Sequence, residues 1–531
     1  MPKVGLCLSG GGFRASLIHA GVLLRLEELG ILKKHVKYIS SVSGGSITSA
    51  IYGLARRRRG NNVDIYKDVC CSLISGIKKA PINRFFIFTL IYYFAPLVFS
   101  AIVFFLIRNN CTNRFTWTVL ALALLLSILW LHETGQRVSA KALFVSGLIF
   151  SLILSLFWPV HLVTIALCVC SLYLIQYIIL HDFGRDVMPE AFKENFCFSS
   201  ANVADLIPTN KGDPHFIFNT TSLSDGAPFY ITDSYIGLTR ANALRWTFPQ
   251  PQKHPSVDIS LADAVAASAC VPGLFDPIKI GDHVLGDGGI FDNIGLTVFI
   301  PPLGSPGGNA ISVDVLIISD ASRKALPDEK PISPIPFWKT YRAIERAFEI
   351  TFDSVRQHQY KILDYKKLRS KFEFAVFGLS ANSSSGNLNC LYSFIPKMRT
   401  DLDSFSDLEI RLLMFYGYTM VNQRIQQWCP TLIPKPPPRL KDWDQFNENL
   451  DKQPVCVIEK KKWPRLQENF LSKDIQDAIN HLRFSHLHEP WRSLRRCLRC
   501  DIVIYILVII LGRIFAGGAI SRAIGFVKKL Y

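Results

Sequence analysis

Several things are missing from this chain. No apolar stretch long enough for a secretory leader precedes the first glycines; the N-terminus reads MPKVGLCLSGGG, a strand over Val4–Leu8 running straight into a glycine loop. No Gly-Lys-Ser/Thr follows those glycines and no third glycine is suitably spaced, so neither a P-loop nor a dinucleotide fingerprint is present. The 13 cysteines are scattered and odd in number, which argues against a disulfide framework and for a reducing surrounding. The sole CxxC, Cys497 to Cys500, stands alone, which argues against a zinc site. No metal and no cofactor is expected. The net charge of +17 comes without any nucleic-acid recognition module. Its arginines cluster instead beside apolar runs, where basic flanks hold membrane spans and attract anionic headgroups.

Charge itself is sparse: 19% of the 531 residues are charged, 49% are hydrophobic, and the mean hydropathy is +0.23. Phe85–Ile107 is 23 residues without a charge, Phe115–Leu131 is 17, and Ala142–Leu180 is 39, divided by Trp158-Pro159-Val160-His161 into spans near 142–158 and 162–180. Runs of this length cross bilayers. Arg56 to Arg59, Lys78, Lys79 and Arg84 precede the first span, which favours a cytoplasmic start. Four crossings would then return the chain to the same side. Ile502–Leu511 is too short to span and reads as an interfacial or re-entrant anchor, with Cys497 and Cys500 placed where palmitoylation is possible. The expected organisation is a first catalytic part over 1–84, an inserted transmembrane region of about four helices over 85–180, a second catalytic part over 181–430, and a Pro-rich linker (Pro434–Leu440) with a basic, anchored C-terminal region over 431–531. Within the second part, Ser224-Asp225-Gly226 reads as a hairpin turn, Leu261–Cys270 as a small-residue helix, and the segment from Phe337 to Leu368 as a surface helix.

Three short motifs carry candidate chemistry. Gly10-Gly11-Gly12, followed by Arg14, opens a helix after a strand, and such a turn presents backbone N–H groups to an anion. Ser43 in Ser41-Val42-Ser43-Gly44-Gly45 lies between a strand over Val36–Ser41 and a helix over Ser46–Ala55, the arrangement of a nucleophile elbow. Asp287-Gly288-Gly289 offers a carboxylate at a tight turn that can take the serine proton.

In their chain order these motifs closely resemble the patatin-like phospholipase family. The segments FNTTSLSDG and AVAASACVPGLFDPI, and the helix from Ser406 to Asn422, resemble the family's further elements. The resemblance implies an α/β fold, a mostly parallel sheet with helices on both faces, here interrupted by the inserted segment. It implies a serine lipid acyl hydrolase using a Ser43–Asp287 dyad through an acyl-enzyme, with an oxyanion hole from Gly10, Gly11 and Gly12. Arg14 would bind phosphate or brace the loop. The implied partners are a membrane lipid substrate and the bilayer, not nucleic acid. Two features depart from the family: Ser41 stands where its elbow carries glycine, and the spans separate the elbow from the aspartate. Three alternatives stay open. These are a transacylase with the same dyad, an inactive lipid-binding membrane scaffold, and a triad drawing on His19 or His283.

Overall fold

The computed structural model describes residues 1–79, most of 187–453, and a few residues within 478–485. The four apolar runs expected to span, the 502–511 anchor and the Cys497–Cys500 pair lie outside the described residues. Among the described residues no helix is long and apolar enough to cross a membrane.

Strand β1 (Val4–Leu8) is buried along its whole length, as befits a strand covered on both faces. Helix α1 (Gly12–Glu28) follows, then the short α2 (Ile31–Lys34), β2 (Val36–Val42), α3 (Gly44–Arg59) and α4 (Cys71–Lys78). Beyond the undescribed segment come α5 (Val187–Phe196), β3 (His215–Ser222), β4 (Ala227–Thr232) and β5 (Ile236–Leu238). A small hairpin, β6 (Ala241–Asn242) and β7 (Arg245–Trp246), precedes α6 (Leu261–Ala269), β8 (Ile278–Ile280), β9 (His283–Asp287) and α7 (Gly289–Asp292). The described chain continues through β10 (Val315–Asp320), α8 (Pro336–Ser370), β11 (Glu373–Gly378), α9 (Asp407–Trp428) and α10 (Trp443–Asp451). The expected hairpin turn sits between β3 and β4, where Gly226 takes the left-handed backbone conformation that glycine tolerates (φ +63°).

One nine-stranded sheet has the order β11-β10-β1-β2-β3-β4-β5, with β9 added to β3 and β8 to β9. The run from β11 to β3 is parallel; β4, β5, β8 and β9 join antiparallel. The register on β3 places the site. β2 runs beside it as far as Val42 opposite Asn219. β4 occupies the other edge of β3, and β9 therefore continues along the β2 edge, antiparallel, ending with Asp287 opposite Thr220.

Helix α9 begins with a capping box between Ser406 and Glu409 and crosses α1 at very short range. A Cβ on Gly21 would overlap the Met414 carbonyl oxygen, and one on Gly417 would overlap the Ile18 carbonyl. The two backbones touch because each helix offers a glycine to the other. The segment expected as a linker is docked here rather than leaving the domain. Arg25, buried on α1, donates from Nη2 to the Pro438 carbonyl at 2.8 Å, and Lys441 pairs with Glu28. Phe446 of α10 packs on Phe415 and Tyr418 with ring centroids 5.2 and 5.3 Å apart. Residues 437–440 lie outside helix and strand, so the Pro438 carbonyl has no ladder partner and accepts from the buried guanidinium. The boundary expected at 430 thus runs through packed core, and the domain continues to Leu450 at least. Gly417→Ala should destabilise the domain by roughly 2 kcal/mol, because neither backbone can yield without opening the crossing. Chemical denaturation followed by near-UV circular dichroism would measure it.

Candidate active site

The site is built where β2 and β9 run out on one edge of β3. Both strands must leave the sheet at once, and each does so through glycines. After β2, Ser43 takes φ 49° and ψ −116°, the only positive φ of a non-glycine residue among the described residues. Strain of this kind persists where surrounding bonds over-determine it. The next two positions have no room for a side chain, since a Cβ on Gly44 would overlap the Gly12 carbonyl and one on Gly45 the Leu8 carbonyl. After β9, a Cβ on Gly288 would overlap the Asn219 carbonyl. The elbow is therefore in backbone contact with the glycine loop, and the aspartate turn with β3 beside them.

Ser43 and Asp287 meet. The Gly289 N–H donates to the Asp287 carboxylate at 2.6 Å, and the Ser43 hydroxyl lies close enough to that carboxylate to lower its pKa. Asp287 is 3% exposed and Ser43 7%. Burial pushes the Asp287 pKa up from its ordinary 3.8 to about 7, against the smaller downward pull of the Gly289 and Ser43 donors. Asp292, five residues on, has a structural part. It accepts from the N–H groups of Ile294, Gly295 and Thr297, from the Thr297 hydroxyl and from Gln359 Nε2, and so serves as the knot of its loop.

The glycine loop lies beside Ser43, and the Cα of Gly10 faces the Ser43 Cβ and the Asn293 side chain. Of the three glycines expected to line an oxyanion hole, Gly10 is already engaged: its N–H donates to the Asn293 carbonyl at 3.0 Å. Gly11 and Gly12 stand at the N-terminus of α1, where the helix itself offers the N–H groups no acceptor. The α3 N-terminus opens directly after Ser43, so two helix N-termini meet at the nucleophile. Arg14 is fully buried and spans inward, donating to the carbonyls of Met398 and Ala321, both at 2.9 Å. It takes the place of a brace for the loop, not of a phosphate ligand.

Neither candidate histidine reaches Ser43. His19 is fully buried, and its ring nitrogens are used by Ser319 Oγ at 2.8 Å and the Ser9 carbonyl at 2.9 Å. Burial lowers its pKa to about 4, which keeps the ring neutral, with Nε2 donating to Ser9 and Nδ1 accepting from Ser319. His283 starts the strand that Asp287 ends, about 13 Å away at strand rise, and pairs with Asp225. Ser41, the departure from the family's elbow, donates to the Ile217 carbonyl at 3.2 Å, so its hydroxyl proton is satisfied inside the core.

Three residues of the site were not singled out by sequence reasoning: Asn219, Ser268 and Asn293. Asn219 Nδ2 donates to Ser40 Oγ and the Ser41 carbonyl, fixing the end of β2. Ser268 accepts from the Ser43 N–H. Asn293 holds Gly10 and reaches Ser322. The available signal was weak: a polar residue inside an otherwise apolar strand, and a serine within a run of alanines.

Because the folded protein holds Asp287 at a raised pKa, its contribution to stability is fully present below about 3.8 and is lost as the pH rises through about 7. Asp287→Asn, which keeps the shape without the charge, should raise the thermal unfolding midpoint at pH 8, with a gain that shrinks toward pH 5. Scanning calorimetry of the two proteins at both pH values would show it.

The sequence matches the model of the patatin-like phospholipase family over residues 6–132 and 171–300. No curated protein matches it. Among solved structures it is similar to VipD from Legionella pneumophila at 13% identity, over 91% of this chain and 74% of that one, with a TM-score of 0.30. The family match falls on the glycine loop, the elbow and the Asp287 turn together. Over these residues the chain matches a patatin-like phospholipase domain, which supports an ester hydrolase acting on lipids.

Proposed function

We propose that this protein is a membrane-bound serine lipid acyl hydrolase of the phospholipase A, lysophospholipase or acylglycerol lipase type, working through a Ser43–Asp287 dyad. The observation that carries the reading is the meeting of Ser43 and the buried Asp287 carboxylate at adjacent register positions on β3, the carboxylate's pKa, at about 7, suiting a general base near neutrality. Asp287 takes the Ser43 proton as Oγ attacks the ester carbonyl carbon. The negative charge that develops on the carbonyl oxygen is met by the N–H groups at Gly11 and Gly12 and by the α1 and α3 N-termini. As the tetrahedral intermediate collapses, Asp287 returns the proton to the departing alcohol oxygen and leaves an acyl ester on Ser43. Asp287 then deprotonates a water molecule, which hydrolyses that ester and restores the dyad. Another lipid alcohol in place of water would make the same acyl-enzyme a transacylase.

The apolar runs between residues 85 and 180 support an integral membrane protein, and the basic residues before them support a catalytic domain on the cytoplasmic side. An intact dyad argues against a scaffold that merely keeps the fold.

A fluorophosphonate probe should label the detergent-solubilised wild type and leave Ser43→Ala unlabelled. Equal labelling of both would sink the dyad. Hydrolysis of a lipid ester should rise with pH through about 7, as Asp287 loses its proton, and level off above it. A flat profile between pH 5 and 8 would mean that Asp287 is not the base.

A further inference from the structure

We infer that Ser268 is a positioning residue for the nucleophile, holding the strained elbow in register with the aspartate turn. The inference rests on the Ser43–Asp287 reading and adds a residue to it.

Ser268 lies near the end of α6 and is fully buried. The Ser43 N–H donates both to its hydroxyl at 3.0 Å and to its carbonyl at 3.1 Å. The same carbonyl accepts the Gly288 N–H at 3.3 Å, so one peptide oxygen ties the residue that follows Asp287 to Ser43 itself. The Ser268 hydroxyl donates to the Asn219 carbonyl at 2.7 Å, at the last position where β3 pairs with β2. With its proton used there, it accepts from Ser46 Oγ at 2.8 Å. Just past the end of α6, Cys270 accepts the Asp287 N–H on its carbonyl at 3.1 Å. Thus α6 and its C-cap supply acceptors for backbone N–H groups on both sides of the dyad, and Ser268 touches the elbow, the aspartate turn and the strand between them.

Two consequences follow. The Ser43 N–H is committed to Ser268 and is not available to a substrate oxyanion. The backbone strain at Ser43 is comparable with the worth of one or two hydrogen bonds. Removing the Ser268 hydroxyl takes away one bond to the elbow, takes a donor from the Asn219 carbonyl and leaves the Ser46 hydroxyl only the longer contact with Ser41 at 3.3 Å. The elbow then relaxes toward an ordinary turn, and the Ser43 hydroxyl draws back from Asp287. Asp287 in turn loses a donor that holds its pKa down.

The test is the rate of fluorophosphonate labelling against pH, on the full-length protein in detergent, for wild type, Ser43→Ala, Ser268→Ala and Ser268→Cys. Labelling forms an Oγ–P bond, expels fluoride from the P–F bond and passes the Ser43 proton to Asp287. In Ser268→Ala the rate should fall about tenfold, and its inflection should move to higher pH than in wild type. Ser268→Cys fills nearly the same space with a weaker hydrogen-bonding group. It should show the same displacement in smaller measure, and it is the variant to read if the alanine form does not fold. A Ser268 variant that labels at the wild-type rate overturns the inference. So does one that only loses labelled fraction at every pH with its inflection unmoved, since that is the mark of a purely structural role. If wild type and Ser43→Ala label alike, the dyad reading itself fails. If those two differ and the Ser268 variants match wild type, only the present inference fails.

Discussion

Two strands end head to head on one edge of β3, and the site follows from that collision. β2 is parallel to β3 and stops opposite Asn219; β9 is antiparallel and stops opposite Thr220. Their C-terminal ends occupy adjacent register positions, so the residues that follow must turn out of the sheet within a few ångströms of each other. Ser43 follows the end of β2, and Asp287 is the last residue of β9 before its turn. A dyad assembled this way needs no long side chain to reach across a cleft, because the strand ends have already brought its members together. The requirement falls on the backbone instead. Gly44, Gly45 and Gly288 each stand where a Cβ would overlap a carbonyl oxygen of a neighbouring segment. The glycines of the motifs are thus chiefly a condition for close approach.

The same crowding sets the electrostatics. A carboxylate between packed backbones loses water, and the Gly289 and Ser43 donors do not replace it fully. Asp292 lies in the same loop and is also buried, yet it gathers donors from three N–H groups, a hydroxyl and an amide. The two aspartates divide the work by the number of hydrogen bonds they receive. The well-supplied one fixes the loop, and the under-supplied one is left basic enough to take a proton. Stability is given up at Asp287 and held elsewhere, in the Arg14, His19 and Ser268 contacts that brace the glycine loop and the elbow.

The parts legible in the sequence were those where one residue type answers to one backbone demand. Continuous apolar strands, glycine turns at strand ends and a serine between small neighbours all have that property, and they located β1, the elbow and the Asp287 turn. The helix from Ser406 was expected from the family resemblance alone, and its capping box between Ser406 and Glu409 is a local feature of the structure. What was not legible depends on distant partners. Nothing local distinguishes Gly10 from Gly11 and Gly12, yet Gly10 is taken by Asn293, far along the chain. Arg14 read as either ligand or brace until Met398 and Ala321 were seen to accept from it. Pro434–Leu440 has the composition of a linker, and only the buried Arg25 on α1 makes it part of the core. Ser268 looked like one more small residue of a helix.

The interleaving of the strands also constrains the residues between 79 and 187. β1 and β2, from before that segment, lie between β10 and β3, from after it. Neither block can form the central sheet without the other. The two edges of the gap are adjacent as well: Gly76 of α4 is packed so closely on α5 that a Cβ there would overlap the Phe196 ring. The chain therefore leaves and re-enters the domain from neighbouring helices. On the proposed reading, in which the uncharged runs between residues 85 and 180 cross a bilayer, a domain built from both blocks must lie wholly on one side. The number of crossings must then be even. Four runs satisfy that condition, whereas three or five would require part of this sheet to form across the membrane from the rest.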